Sequence, residues 1–347
     1  MFDQIINYQN LLQAYFLTRK SRRFKPNFQR LEINYEVILS QIQWQLINNY
    51  YQPKPYHQFL VFEPKKRKVS APHLYDRIVH HAINNIIEPI FEPIFIDHTY
   101  ACRKFKGTTN TKIQLTNAYN RMFHNHPKFY VYKSDIKSYF SSINHSTLLN
   151  LLQQHISCSK TTNLLKIIIN SYQEAPNTGI PIGNLTSQLF ANLYLHPLDI
   201  FVTKNIGEIN YFRYMDDFII LSPDKDYLIY LRCLIKGFLK YFLKLELHPR
   251  KNNIFRADTG VDFVGFLFKP NSVTLRKKTL RRHKRHYKNR LKLIKKLKSQ
   301  HKIDQARVIQ NKIKSSGHSF RGFLKDTNYQ DNPRHYKING LIMPKEF

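Results

Sequence analysis

Three aspartates stand where acidic side chains are out of keeping with their surroundings. Asp216 and Asp217 interrupt the apolar stretch 211–221 (YFRYMDDFIIL), and Asp135 follows directly on the run 129–134 (FYVYKS). Adjacent carboxylates repel each other and lose hydration unless a cation or turn exposure compensates. Consecutive side chains on a strand point to opposite faces, so a turn must redirect one of the pair if both are to serve one point. Three carboxylates meeting at strand ends would suit Mg²⁺, which keeps positions open for water and phosphate oxygens. Two such ions, roughly 3.5–4 Å apart, activate a hydroxyl and stabilise a departing oxygen in phosphoryl transfer. An isolated Asp-Asp pair is more often plain turn chemistry. The metal reading therefore requires that all three side chains converge.

The elements that must position them are legible in part. Residues 129–134 read as a strand running into Asp135, and 211–221 as two short strands with the two aspartates at their tip. Residues 36–51 carry helix-period apolar positions. Residues 59–72 read as a hairpin around the basic turn at Lys65, Lys66, Arg67 and Lys68. From Asp76 to Ile90 the set Ile78, Val79, Ala82, Ile83, Ile86 and Ile87 fits one helix face, with Asp76 as its expected cap. The stretch 145–156 is helical in period, 176–183 (PNTGIPIG) is a loop, and an apolar helix is expected from about Asn184 to Lys204.

Composition narrows the partners. The chain has 347 residues, enough for two or three subdomains, and hydrophobic residues at 42% supply a packed core. Its 55 Lys+Arg against 23 Asp+Glu give a net charge of +32, which self-repels in a compact fold unless a polyanion answers it. The excess is concentrated: residues 276–302 hold 14 Lys/Arg and no acid, while Tyr287, Leu291, Ile294 and Leu297 keep helix spacing. Nucleic acid is the expected partner rather than a membrane, since no apolar run approaches the roughly 18 residues that span a bilayer. The N-terminus does not read as a signal peptide, and Cys102, Cys158 and Cys233 lack metal spacing, so a reduced, cytoplasmic setting is expected.

Tyr214-Met215-Asp216-Asp217 resembles the YxDD box of reverse transcriptases, and the stretch SDIKSYF (134–140) resembles their first palm motif. LHPRK (247–251), VDFVGF (261–266), RKVSAP (67–72), DRIVHHA (76–82) and YACRKFKGT (100–108) are similar to further blocks of that family, in its order, over roughly residues 55–345. The block IGNLTSQ (182–188) departs from the usual QGxxxSP and resembles the [I/V/L]GxxxSQ of diversity-generating retroelements, in bacteria and their phages.

The resemblance implies an α+β chain of right-hand polymerase architecture. Its N-terminal region and fingers would occupy 1–128, and its palm with an antiparallel sheet 129–268, including a helical and loop insertion at 145–204. A basic helical thumb would occupy 269–347. It implies an RNA-directed DNA polymerase using two Mg²⁺ ions, with Mn²⁺ an alternative. The ligands would be Asp135, Asp216 and Asp217, with the Ile136 carbonyl. Phe140 matches the aromatic gate against a ribose 2′-hydroxyl, and Ile182, Gly183 and Gln188 would border the incoming nucleotide. Arg67 and Arg103 are candidates for the dNTP triphosphate, since guanidinium binds phosphate bidentately. Lys251 would donate a proton to pyrophosphate or simply contact phosphate. Tyr214, Met215 and Gly265 would touch the primer and template, as would Arg281, Arg282, Lys284 and Arg285 on the basic helix, which is expected along an RNA–DNA hybrid. Template RNA and a small basic pentameric accessory protein complete the implied partners. Isoleucine at 182 would relax selectivity opposite template adenine, because it offers contact area where glutamine offers a hydrogen bond. Two other readings remain: another bacterial reverse transcriptase (group II intron, retron or antiphage), and a non-catalytic RNA-binding protein on the same scaffold.

Overall fold

The computed structural model describes residues 1–62, 66–324 and 327. Nine strands form three sheets among these residues. β1 (His57–Val61) pairs antiparallel with β2 (Arg67–Ala71). β3 (Tyr130–Asp135), β4 (Tyr211–Tyr214), β5 (Asp217–Ser222) and β6 (Asn253–Arg256) make a sheet of order β4-β5-β3-β6. β7 (Val261–Phe263), β8 (Phe266–Lys269) and β9 (Ser272–Leu275) make an antiparallel meander. The chain divides into two compact units. One comprises 1–106, 133–219 and 229–253, and the other 107–132, 220–228 and 254–347. Residues 63–65, with Lys65 of the expected basic turn, and the C-terminal residues 325–326 and 328–347 lie outside the described residues, while Arg67 and Lys68, expected in that turn, are the first residues of β2 because they pair with Val61 and Leu60.

In the first unit, the helix Leu74–Phe91 buries Ile78, Val79, Ala82, Ile83 and Ile87, as its periodicity requires, while Ile86 is half-buried. Its cap differs from expectation. His73 holds the N-cap position, its ring accepting from the Tyr75 amide. Asp76 lies inside the first turn, buried, and accepts from the Tyr51 hydroxyl at 2.9 Å and the Lys54 amide at 3.0 Å. A carboxylate already satisfied by a neighbouring segment has no need to cap its own helix. Asn10, on the helix Tyr8–Arg19, donates to the Ala82 carbonyl and fixes that helix against Leu74–Phe91.

The helix Leu185–Ile200 is buried almost all round, as a helix apolar on every face must be. It is shorter than its pattern: beyond Pro197 the winding loosens, and Phe201–Asn205 form a π-helical turn. Its one acid, Asp199, meets the one base of β4, Arg213, and both are fully buried. Arg213 Nε donates to Asp199 Oδ1 at 2.6 Å, and its Nη2 to Oδ2. The Tyr211 hydroxyl at 2.8 Å and the Thr99 hydroxyl at 3.2 Å satisfy the remaining lone pairs of Asp199.

The second unit contains the helix Gly107–Asn125, the β7–β9 meander and two long helices, Lys277–Ser299 and Ile303–Leu324. Its core gathers Phe263, Phe266 and Phe268, all buried, with the Phe323 ring tilted against Phe266, centroids 4.4 Å apart. The helix Lys277–Ser299 buries no residue fully, so its 23 residues are held by a half-buried stripe along Ile303–Leu324. No described helix is long and apolar enough to cross a membrane.

Breaking a buried ion pair by removing one partner leaves an uncompensated charge, at a cost of ~3–5 kcal/mol. Asp199→Ala should therefore lower the urea unfolding midpoint severely, and Asp199→Leu/Arg213→Met should restore most of the loss. Equal destabilisation of the single and double variants would show that the pair's attraction, rather than an orphaned charge, carries the stability.

Candidate active site at the β3 and β5 strand ends

β3 ends at Asp135 and β5 begins at Asp217, and these strands are neighbours in the central sheet. Between β4 and β5 lies a turn of Met215 and Asp216, with Met215 in the left-handed region at φ 59°. A β-branch-free residue tolerates that conformation at modest cost, and here it is held from behind. Arg213 Nη1 donates to the Met215 carbonyl at 2.9 Å, so the buried Asp199–Arg213 pair fixes the turn that carries Asp216. Sequence reasoning missed this pair. The signal was available, in a lone acid and a lone base within two otherwise apolar segments.

The three carboxylates are electrostatically linked. Burial, then the charges of Asp135 and Asp217, push the Asp216 carboxyl up to about 6, while Lys251 pulls it down. Lys251 Nζ forms an ion pair with Asp135 Oδ2. Backbone pairing brings that lysine in: the His248 amide donates to the Asp135 carbonyl at 2.8 Å, and the Lys137 amide to the Glu246 carbonyl at 2.9 Å. Ile136 bridges antiparallel to Leu247. Among the described residues no three His, Cys, Asp or Glu side chains already stand close enough to hold one ion. Asp135 and Asp217 thus lie within electrostatic reach of Asp216, with an ammonium on Asp135 and no ready cage among the described residues. The donor chemistry still fits a hard cation: carboxylate oxygens in a partly buried setting that already draws in positive charge.

A second group of candidates assembles beside this edge. Ser138, at φ 49°, turns the chain from Asp135 into the short helix Tyr139–Ser142, leaving Phe140 half-buried rather than in the core. The Ile180 amide donates to the Phe140 carbonyl at 2.8 Å, tying the 176–183 loop to it. Two residues on, the Ile182 carbonyl accepts from the Ser70 amide at 2.9 Å, docking the loop on β2. Gly183 is required there twice over: its φ is +130°, and a Cβ would meet the Ser70 carbonyl oxygen at 3.0 Å. β2 also carries Arg67, which is exposed. The strand of Arg67, the Phe140 helix and the Ile182–Gly183 turn are therefore joined by backbone hydrogen bonds. Beneath them the His80 ring, buried and kept neutral with its pKa pushed down to about 3 by burial, pairs with the Thr186 hydroxyl at 2.8 Å.

Other sequence candidates lie apart. Arg103 is nearly buried, its guanidinium given to Glu92 at 2.9 Å and to the carbonyls of Ile96 and Thr99. It lines a cavity of about 110 Å³ together with Gln188. Tyr214 ends β4 half-exposed, while Gly265, at φ +94°, makes the β7–β8 turn in the second unit. On the helix Lys277–Ser299, Arg281 and Arg285 are exposed and Arg282 and Lys284 half-buried.

Two carboxylate-bearing strand ends in a four-stranded sheet amid helices belong to a right-hand polymerase fold, α+β and mostly helical. Residues 53–268 match the family model described as reverse transcriptase (RNA-dependent DNA polymerase). With more than half of its length matched, the chain belongs to that family. Protein YkfC of Escherichia coli K12 is 25% identical over 281 residues, covering 68% of this chain and 72% of that protein. The group II intron-encoded protein LtrA of Lactococcus lactis subsp. cremoris is 28% identical over 163 residues, covering 44% of this chain and 26% of LtrA. Among solved structures, apo telomerase from Candida tropicalis aligns with TM-score 0.50 and 11% identity over 67% of this chain and 52% of the telomerase, a likeness of fold alone. The chain thus spans about a quarter of the intron protein and half of the telomerase.

A carboxyl raised to about 6 from an ordinary 3.8 means that the metal-free folded chain retains a proton which the unfolded chain has released. The contribution of this carboxyl to stability is then fullest at acid pH, below the unfolded value, and is lost as pH rises through about 6. Asp216→Asn removes that loss. In EDTA its advantage over the wild type should be near zero at about pH 4 and grow to on the order of 2–3 kcal/mol by about pH 8, a few degrees in melting temperature. An advantage that does not widen with pH would show that Asp216 carries no such burden.

Proposed function

We propose that this chain copies a template RNA into cDNA by two-metal nucleotidyl transfer, with Asp135, Asp216 and Asp217 holding two Mg²⁺ ions, or Mn²⁺ in their place, and the Ile136 carbonyl assisting. What supports this reading is that Asp135 closes β3 and Asp217 opens the neighbouring β5, with Asp216 in the turn before it and the Lys251 ammonium on Asp135, in a chain of the reverse transcriptase family. Repelling carboxylates persist at a partly buried edge where a bound cation repays the repulsion. When bound, the ions supply the positive charge that acidifies a primer 3′-hydroxyl and stabilises the leaving pyrophosphate. The chain's own groups do the rest. Phe140 screens the sugar, Arg67 on β2 takes triphosphate oxygens, and Ile182 and Gly183 border the nascent pair, with Gln188 further along the same segment. Arg103 would serve the triphosphate only by exchanging its present partners, so Arg67 is the stronger candidate. Lys251 gives a proton to pyrophosphate or holds a phosphate. The YMDD turn and Gly265 would meet primer and template. We divide the hand into fingers (1–128), palm (129–268) and thumb (269–347).

Within the family, the IGNLTSQ block supports a diversity-generating retroelement: error-prone copying at template adenines in a bacterial cytoplasm, with a basic pentameric accessory protein. Two strongly basic proteins would associate most easily with RNA bridging them. A group II intron-like, retron or antiphage enzyme would show accurate products, and a non-catalytic RNA binder would show none.

Incorporation on poly(rA)·oligo(dT) with Mg²⁺ tests the reading. Asp216→Ala/Asp217→Ala should abolish it, by a factor on the order of 10³ or more, with hybrid binding retained. Synthesis that survives this double change would remove the assignment of the carboxylates. Fidelity is a separate measurement. Replacing Ile182 with Gln should lower misincorporation opposite template adenine about tenfold, the worth of one hydrogen bond. Sequenced products with an unaltered error rate would end the case for Ile182.

A further inference from the structure

Two rows of basic side chains on the helix Lys277–Ser299 lie on faces that one nucleic-acid duplex along the helix cannot use together. Arg281, Arg285, Lys288, Lys292 and Lys295 are exposed and recur at a spacing that keeps them on one line. At 1.5 Å per residue that line is roughly 21 Å long, suited to the backbone of a duplex. Arg282, His286 and Arg290 form the other row, and at 3.6 residues per turn it lies about 140° further round the helix. Of this second row, Arg282 and Arg290 are half-buried and His286 is exposed. The row lines a groove of about 720 Å³ whose opposite wall is the helix Ile303–Leu324, with Ser316 and Ser319 hydroxyls and the Phe320 ring. Among the described residues no carboxylate lines the groove.

We propose that this groove binds a single-stranded nucleic-acid segment, at a site separate from the ridge suited to an RNA–DNA hybrid. Charge and size select the ligand. Two guanidinium groups and several hydroxyls without an acid match phosphodiester oxygens, and the volume holds a short stretch of one strand but far too little for a duplex. The aromatic content argues for bases as well as phosphates. The His283 ring lies flat on Phe320, centroids 3.7 Å apart and planes 6° apart, a stack that a nucleobase can extend. Burial, with Arg290 and His286 nearby, lowers the His283 pKa and favours the neutral, stacking form of that ring. A polymerase that holds a hybrid on one face and a loose strand on another could retain the template, or the product, beyond the paired region. The inference uses no catalytic residue, and its test needs neither metal nor dNTP, so it fails or stands apart from the polymerase reading.

The test is fluorescence anisotropy on the full chain, with a short unstructured RNA, the DNA of the same sequence and a blunt RNA–DNA hybrid as probes. Arg290→Gln/Ser319→Glu should weaken single-strand binding about tenfold or more and leave hybrid affinity unchanged. Its salt slope for the single strand should flatten by about 0.7 for each phosphate that no longer meets a cation. Lys288→Gln/Lys292→Gln should do the reverse, weakening the hybrid alone. Phe320→Leu, which keeps the core filled, should weaken the strand without changing the salt slope, as loss of stacking requires. The RNA and DNA arms identify which strand the groove prefers, and tight binding of either one in the groove supports the proposal. If the groove variant weakens hybrid and strand equally, or spares the strand, the groove is merely part of the duplex surface and the proposal is overturned. Unchanged melting curves exclude misfolding as the cause.

Discussion

Carboxylates cannot be gathered at the edge of a partly buried sheet without positive charge to answer them. In this chain Asp135 and Asp216 raise each other's energy, and Lys251 answers on Asp135. Much of the surrounding backbone serves that balance. The segment carrying Lys251 is laid beside β3 by hydrogen bonds to Asp135 and from Lys137, so the cation arrives through main-chain pairing rather than through a flexible surface loop. The same arrangement leaves the aspartates disposed towards cations. A site of this kind trades stability for readiness, a common feature of catalytic centres.

The turn that presents Asp216 needs its own support, because Met215 sits in a conformation that side chains disfavour. Support comes from a second charge balance deeper in the fold. Asp199 and Arg213 neutralise each other away from water, and the spare guanidinium nitrogen grips the Met215 carbonyl. A buried ion pair contributes little net stability over an apolar pair of similar size. What it contributes here is direction, since a guanidinium offers several donors in a fixed plane. Helix Leu185–Ile200, through Asp199, and strand β4, through Arg213, are thereby referred to one point on the carboxylate-bearing edge.

The loop that meets β2 follows a different logic, built on close backbone approach. Gly183 lets β2 come within a distance that any side chain would block, and the Ser70–Ile182 hydrogen bond closes the contact. Ile182 then stands at the junction with its carbonyl committed to the Ser70 amide. The second unit works by neither mechanism. Its long helices carry more positive charge than they can neutralise, so their geometry is an invitation to polyanions.

The periodicities of Leu74–Phe91, of β3 and of the basic helix could be read directly, because burial on one face imposes a local repeat on the residue types. The motif blocks likewise marked Asp135, Asp216, Asp217, Phe140 and Ile182 as a set, since their order along the chain is itself a pattern. Local sequence could not show which polar groups find distant partners. Asp76 reads as a cap, yet Tyr51 and Lys54 claim it from another segment. Arg103 reads as a free phosphate ligand, yet Glu92 and two carbonyls hold it. Lys251 on Asp135, Arg213 behind Met215 and Gly183 against Ser70 are separated by many residues or by a turn of uncommon geometry. Periodicity thus gave the main elements, and the resemblance of the motif blocks implied the family and the acidic trio. Only the tertiary structure decided how those charges are balanced, because electrostatic and hydrogen-bond partners depend on distance through space, which a one-dimensional pattern does not carry.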